Sequence, residues 1–317
     1  MELTVAVLTY RRAADLAELL PLLADQVTSV DSSELTARVL VVDNDPDGSA
    51  REFVEGFANR NPAARVAYAH EAVPGISAAR NRALTESASS RLLVFIDDDE
   101  RPSERWLALM IETQRTHASA AVAGPVISEY SIPPSAWITA GRFFDRRRMP
   151  TGTRLDVAAT NNLLLDLDRV RELGLRFDPG SGLTGGEDTL FTRELHRTSL
   201  LVWCDEAIVT DVVPPQRLTR QWVLQRAMSS GNSWSLTELK LARGAFRTAR
   251  VRATLTVRAV IRMLGGIARL CVGAVTRSLG QRARGSRTLA RGWGMLLGAW
   301  GYSHVEYKRP VLGTPAS

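Results

Sequence analysis

Short apolar runs rich in β-branched residues alternate with segments of helical period through the first 127 residues, and this limits the fold more than any other feature. Leu3 to Leu8 reads LTVAVL, and Arg38 to Val42 reads RVLVV. Arg65 to Ala69, Arg91 to Ile96 and Ala120 to Ile127 follow the same style. A continuous apolar run of this length predicts a strand buried on both faces. Between the runs, Ala13 to Val27 carries Leu16, Leu19, Leu20 and Leu23 at helical spacing. Ser49 is expected to cap a helix reaching about Asn59. Pro74-Gly75 is a turn feeding another helix, and Arg105 to Thr116 is helical again. Strands and helices in this order predict an α/β fold with a mainly parallel sheet.

Ligands of open α/β sheets bind beyond the carboxyl ends of the strands. The polar groups expected on that rim are Thr9 and Arg11, Asp43, and Asp97-Asp98-Asp99-Glu100 after the run Leu92 to Ile96. Adjacent carboxylates raise one another's pKa unless a cation is near. A hard divalent ion takes one or two carboxylates together with phosphate oxygens. The acids therefore read as a metal–diphosphate site, or else as an acidic turn before a helix that Ser103 caps. Asp43 suits a hydrogen bond to a ribose or base, and equally an Asx-turn. Arg80 and Arg82 lie near a helix start, where they either face phosphate or sit on an exposed helix face.

The sequence resembles family 2 glycosyltransferases of the GT-A fold. The likeness spans roughly residues 3 to 234. It rests on Val7-Leu8-Thr9-Tyr10-Arg11-Arg12, Val41-Val42-Asp43-Asn44, Pro74 to Asn81, Phe95 to Glu100, and Gly185-Gly186-Glu187-Asp188 in that order. The nearest flavour is the bacterial exopolysaccharide and cell-envelope group, including succinoglycan-type glucosyltransferases. The resemblance implies an inverting, metal-dependent enzyme that moves a sugar from a nucleotide-diphosphate sugar, expected to be UDP-linked. The acceptor would be a saccharide or a lipid-linked saccharide. It implies that Thr9, Arg11 and Asp43 hold base and ribose, and that Arg80, Asp97 and Asp98 also contact the nucleotide sugar. It makes Asp99 the direct ligand of Mg²⁺ or Mn²⁺, with Asp97 nearer the ribose, and Asp188 the catalytic base. Many relatives carry a metal-binding His near the end of a later strand. This chain reads Ile208-Val209-Thr210-Asp211 there, so Asp211 is either a ligand of different charge or a structural residue.

Ser128 to Arg154 is irregular and rich in Pro and aromatic residues. Trp137 with Phe143-Phe144 reads as a sugar-stacking floor or as a satellite core. A strand is expected over Ala158 to Leu165, with Asn161 and Asn162 on the acceptor side, and Glu187 is placed on that side too. The glycine-rich lead from Phe177 to Gly186 can approach a ligand closely. It delivers Asp188 to a helix N-terminus, which favours an ionised carboxylate.

The sequence boundary falls at 240. Residues 1–240 read as the catalytic domain, and 241–317 as a basic helical tail. The chain's formal charge of +6 is concentrated there: twelve arginines lie between Arg243 and Arg291, with Lys308 and Arg309 beyond, against one acid, Glu306. Arg258, Arg262 and Arg269 fall within about 40° of one another on an ideal helix. Apolar residues occupy much of the rest. A second segment, Leu289 to Tyr302, carries Trp293, Trp300 and Tyr302. The pattern predicts helices lying in a membrane surface, with Gly265-Gly266 as a bend; a packed helical subdomain or a dimer contact are the other readings. Nucleic acid is disfavoured because no motif for it is present. No run is long and apolar enough for a transmembrane helix, and the N-terminus does not read as a signal peptide. The expected location is therefore peripheral, on the cytoplasmic face of the membrane. Cys204 and Cys271 read as buried thiols, and the four scattered histidines have no zinc spacing. Two rival classes remain. A nucleotidyltransferase would release pyrophosphate, and no glycine-rich, lysine-bearing N-terminal loop of that type is present. A non-catalytic sugar-nucleotide-binding scaffold would need neither the acidic run nor Asp188.

Overall fold

The computed structural model describes residues 1–181 and 185–303. Gly182, Leu183 and Thr184 of the glycine-rich lead lie outside the described residues, as do His304, Glu306, Lys308 and Arg309 of the tail. The chain forms two compact units. One comprises Met1–Ser135, Arg142–Pro179 and Asp188–Leu218; the other comprises Ala136–Gly141, Gly180–Glu187 and Thr219–Ser317.

The first unit is built on the alternation visible in the sequence. β1 (Glu2–Thr9), α1 (Ala13–Val30), β2 (Thr36–Asp43), α2 (Arg51–Arg60), β3 (Ala67–His70), α3 (Ile76–Glu86) and β4 (Leu92–Asp97) follow in order. After them come β5 (Glu100–Pro102), α4 (Trp106–His117), β6 (Ala121–Ala123) and β7 (Val126–Tyr130). β8 (Asn162–Asp166), α6 (Leu167–Glu172), α7 (Glu187–His196), β9 (Leu201–Trp203) and β10 (Val209–Val213) complete it, with α5 (Ala136–Gly141) assigned to the second unit. Seven strands form one sheet in the order β3-β2-β1-β4-β8-β6-β9. β8 is antiparallel to both neighbours and the other pairings are parallel.

Alternate residues of each strand serve opposite faces of that sheet. Leu3, Val5 and Val7 pack with Leu16, Leu19, Leu20 and Leu23 of α1 and with Trp106 of α4. Ala6, Leu93 and Phe95 pack with Phe177, Phe191 and Leu195. Both faces are covered by helices, so the strands have no polar face to show. This explains why their sequences read as unbroken apolar runs.

The segment expected as one strand, Ala120 to Ile127, is two strands in two sheets. β6 stays in the large sheet, while β7 joins β5 and β10 in a three-stranded sheet ordered β5-β10-β7. The break is at Gly124-Pro125. Pro125 has no N–H for a ladder. A Cβ on Gly124 would collide with the Ala207 carbonyl oxygen and lie 2.5 Å from Asn162 Nδ2. Asn162 is itself a bracket. Its Oδ1 accepts from Trp106 Nε1 at 2.9 Å, and its Nδ2 donates to the carbonyls of Ala207 (2.9 Å) and Pro125 (3.1 Å). That use of the side chain removes Asn162 from the acceptor side expected for it.

Ser49 does not cap α2. The N-cap is Ala50, whose N–H donates to Asp43 Oδ2 at 2.8 Å, so a carboxylate from the end of β2 does the capping. Cys204 is buried as expected, whereas Cys271 is exposed.

The second unit is helical. α8 (Arg220–Leu241), α9 (Ala245–Val275) and α10 (Leu279–Ala299) make it up with α5. It claims α8, so the compact units divide at Thr219 rather than at the sequence boundary of 240. Small residues on α8 explain this: Gly231, Ser229, Asn232 and Ser235 are buried, and a Cβ on Gly231 would meet the Arg291 backbone of α10. One side of α10 packs against α9. Met295 and Ala299 are buried with Leu255 and Ala259 of α9, and Gly285 and Gly292 allow backbone approach to α9. α9 runs unbroken through Gly265-Gly266. Gly266 lies where a Cβ would come 2.8 Å from Leu289 N, so it provides close approach in place of the expected bend.

Replacing Gly124 with Ala is expected to destabilise the protein by about 1–3 kcal/mol, the usual cost of overpacking a fixed site. Urea unfolding measures it. An unchanged midpoint would mean that the junction between the two sheets relaxes freely.

Candidate functional site

The parallel register fixes which side chains meet. Thr9 pairs with Asp43 across β1 and β2, and Leu8 pairs with Asp97 across β1 and β4. The carboxyl ends of three neighbouring strands therefore bring Thr9, Asp43 and the acidic run onto one rim, as the alternation predicts.

At the centre, Asp98 is 5 % exposed. Its Oδ2 accepts from Thr9 Oγ1 at 2.9 Å, and its Oδ1 from Arg12 Nη1 at 2.7 Å. The same Arg12 nitrogen reaches Asp99 Oδ2 at 2.9 Å. Arg217, just before α8, also donates to Asp99 Oδ2, at 3.1 Å, and its other nitrogen lies 3.7 Å from Asp211 Oδ1. Arg146 is 3.6 Å from Asp211 Oδ2. Asp211 is on β10 opposite Glu100 of β5, so the small sheet carries a fifth acid to the run. Glu100 is buried. Its Oε2 accepts from the Asp97 N–H at 3.2 Å, and its Oε1 from Asn161 Nδ2 at 2.8 Å. Asn161 thus braces the acids from within.

These acids are not ordinary carboxylates. Burial raises the Asp97 pKa to about 7; Arg80 opposes the rise, and Asp99 and Asp98 add to it. Burial raises Asp98 to about 6 against the pull of Arg12, with Asp99 adding to the rise. Glu100 is pushed well above the usual range by burial and then by Asp97. Asp211 is raised by burial and by Asp99, with Arg217 and Arg146 opposing. Burial works against the charge of Arg12, but Asp98 and Asp99 outweigh it and raise its pKa.

Asp43 is fully buried and serves its own loop. Oδ1 accepts from the Asp45 N–H at 2.9 Å, and Oδ2 from Ala50 N (2.8 Å) and Tyr68 Oη (3.1 Å). This is the Asx-turn alternative in an extended form. Arg11 has a left-handed backbone, φ 56°, and clamps the neighbouring loop through Asp45 (3.1 Å) and Asp47 (3.0 Å). Arg80 is buried, with its guanidinium 5.5 Å from the Phe177 ring centroid. Arg82 takes the surface alternative, paired with Glu86 at 2.8 Å.

Asp188 sits in the first turn of α7, half-buried, and its Oδ1 accepts from the Thr189 N–H at 2.6 Å. α7 is anchored to the acid-bearing strand by rings. Phe191 stacks on Phe177 at 4.2 Å, and Phe177 meets Phe95 edge-on at 5.9 Å. Thr192 Oγ1 further ties α7 to the Ala158 carbonyl, at 3.1 Å. Glu187, Asp188's neighbour, is buried. Trp137 belongs to the helical unit, where Arg220 stands 5.6 Å over its ring. Phe144 belongs to the first unit, buried edge-on to Tyr130. The aromatics grouped together in the sequence are therefore shared between two units.

Arg12, Arg146 and Arg217 escaped sequence reasoning as partners of the acids. The one signal was the excess of carboxylates itself, which called for nearby cations.

Among the described residues no three His, Cys, Asp or Glu side chains are arranged to hold a metal ion by themselves. The residues nevertheless fit a divalent ion shared with a diphosphate, which needs only one or two carboxylates. Asp99 and Asp211 converge on a single guanidinium, and Asp211 Oδ1 is buried without a hydrogen-bond partner. Carboxylate oxygens that already converge on positive charge make a donor set suited to a hard cation.

The chain is similar to several known proteins. The family described as Glycosyl transferase family 2 matches residues 4–166. The succinoglycan biosynthesis protein ExoM of Rhizobium meliloti (strain 1021) is 36% identical over 234 residues, 74% of each chain. Among solved structures, the mannosyltransferase PcManGT of Pyrobaculum calidifontis, in complex with GDP-Man and Mn²⁺, superposes with a TM-score of 0.62 at 18% identity, over 94% of this chain and 87% of that one. S. aureus TarS 1-349 in complex with UDP-GlcNAc gives 0.51 at 15% identity, over 92% and 90%.

The raised carboxyl pKa values have a consequence for stability. The folded protein binds these protons more tightly than the unfolded chain does. Their contribution is therefore present at low pH and lost as pH rises from the ordinary carboxylate range toward about 7. In the ligand-free protein, Asp97→Asn should remove about 1–2 kcal/mol of the stability lost between about pH 5.5 and pH 7.5. Urea unfolding at both pH values checks this. Equal losses in variant and parent would show that Asp97 titrates normally.

Proposed function

The chain belongs to glycosyltransferase family 2, and from that premise we propose that it is an inverting, divalent-metal-dependent enzyme. In this reading it transfers a sugar from a nucleotide-diphosphate sugar, UDP-linked, to a saccharide or lipid-linked saccharide in exopolysaccharide or envelope assembly. The observation that carries the reading is the acidic run at the carboxyl end of β4, drawn together with Asp211 around arginine side chains. The succinoglycan role of ExoM supports the polysaccharide setting, and the UDP-GlcNAc and GDP-Man complexes of the structural neighbours support a nucleotide-sugar donor.

Asp99, with either Asp97 or Asp211 as a second carboxylate, would hold the divalent ion together with the donor's diphosphate. When bound, that ion supplies charge neutralisation for the leaving diphosphate. The chain's own groups do the rest. Thr9 and Arg12 fix the Asp98 carboxylate, so the acidic turn is set before a ligand arrives. Asp43 holds the loop that carries Asp45, and Arg11 clamps that loop from just beyond the end of β1. The roles of Thr9, Arg11 and Asp43 toward base and ribose are therefore proposed to be partly indirect, through the shape of this rim. Arg80 offsets the charge of Asp97. The Asp188 carboxylate accepts the proton of the acceptor hydroxyl as that oxygen attacks the anomeric carbon. A single displacement of this kind inverts the anomeric configuration and leaves no covalent sugar on the protein.

Asp188→Asn keeps the shape of the side chain and removes its basicity. Donor binding should survive, while transfer falls by ~10²-fold or more, the scale of a lost general base. Adjacent helical residues point about 100° apart, so Glu187→Gln should be milder. Transfer rate and donor affinity measured for both variants test the assignment. A near-normal Asp188→Asn with an inactive Glu187→Gln reverses it. In the parent protein, a panel of nucleotide sugars should yield nucleoside diphosphate; release of pyrophosphate would place the chain among nucleotidyltransferases.

A further inference from the structure

We propose that the exposed face of α9 is a docking surface for an anionic phospholipid bilayer, with the helix lying along the membrane rather than crossing it. The structure identifies the face. α10 covers the side of α9 that carries Leu255, Ala259, Gly266 and Gly273, all buried. At 100° per residue, Val257, Ile261, Leu264 and Val275 stand on the opposite side. They are 58 %, 63 %, 60 % and 85 % exposed. The stripe is continued by Phe246, Val260 and Ile267, also exposed. Over 31 residues it extends about 46 Å at the helical rise, well beyond an isolated surface leucine.

Charge selects the partner. Arg258, Arg262 and Arg269 run along one border of the stripe, all exposed. Neither α9 nor α10 contains an acidic residue. On α10, Arg287 and Arg291 stand close enough to Arg262 for like charge, after burial, to lower their pKa values. A protein partner covering this face would need an apolar strip bordered by acids. An anionic bilayer presents both properties along any line on its surface: acyl chains beneath a layer of phosphates. No helix among the described residues is long and apolar enough to span a membrane, which agrees with a helix in the interfacial plane. Trp293, Trp300 and Tyr302, exposed on and just after α10, are residue types favoured at that depth. The inference stands apart from the catalytic reading, since all its residues belong to the helical unit.

The test is flotation of the full chain with vesicles of phosphatidylcholine, with and without one-quarter phosphatidylglycerol. The parent should float with the anionic vesicles and much less with the neutral ones. Arg258→Gln with Arg269→Gln should weaken anionic binding by at least about tenfold, at roughly fivefold per arginine near a charged surface. Ile261→Ser with Leu264→Ser should weaken it comparably and leave a smaller, fully salt-sensitive remainder. Both pairs are exposed, so thermal melting and binding of a nucleoside diphosphate should be unchanged, which separates this outcome from misfolding and from failure of the catalytic proposal. Absence of flotation, equal binding to both vesicle types, or a solution dimer that the Ile261/Leu264 variant dissolves would each overturn the proposal.

Discussion

Five carboxylates brought together at the edge of a buried sheet are the constraint on which the site depends. Asp97, Asp98, Asp99, Glu100 and Asp211 would not remain ionised side by side without positive charge among them. The chain supplies Arg12, Arg80, Arg146 and Arg217. Burial, with the neighbouring acids adding to it, still raises the pKa values of Asp97, Asp98 and Asp211. A divalent ion with a diphosphate would change the local accounts in both directions. The ion offers the acids a stronger partner, and the phosphates offer the displaced arginines a new one. An acidic site ringed with arginine is consistent with binding both parts of such a ligand together.

Everything around the cluster serves its placement. β1, β2 and β4 are parallel neighbours, so one register delivers Thr9, Asp43 and Asp97 to the same edge. The small sheet brings Asp211 against Glu100, and the Gly124-Pro125 junction makes that second sheet possible. The ring sequence Phe95–Phe177–Phe191 carries the order of β4 to α7, where Asp188 lies. Position thus passes from strand register through packing to the group we propose as the proton acceptor.

Much of this was legible in the sequence because apolar runs and their polar ends are local patterns. The parallel strands, the acidic run and Asp188 at a helix start all follow from neighbours in the chain. What escaped was set by distant partners. Asn162 looks like a surface amide until Trp106, Pro125 and Ala207 are seen to occupy it. Ser49 has the better capping side chain, but Asp43 reaches Ala50 from the strand end. Ala120 to Ile127 reads as one strand because periodicity does not register a change of sheet. Cys271 lies in an apolar stretch, yet that stretch of α9 faces outward. Arg12 and Arg217 lie 86 and 118 residues from the acids they hold, so no window of sequence pairs them.

The central claim is that the acidic cluster binds the donor's diphosphate through a divalent ion. Calorimetric titration of UDP into the protein, with Mn²⁺ and again after chelation, tests it most directly. The account predicts binding that requires Mn²⁺ and is lost in Asp99→Ala. Equal affinity with and without Mn²⁺ would contradict it, and would mean that the arginines alone hold the phosphates.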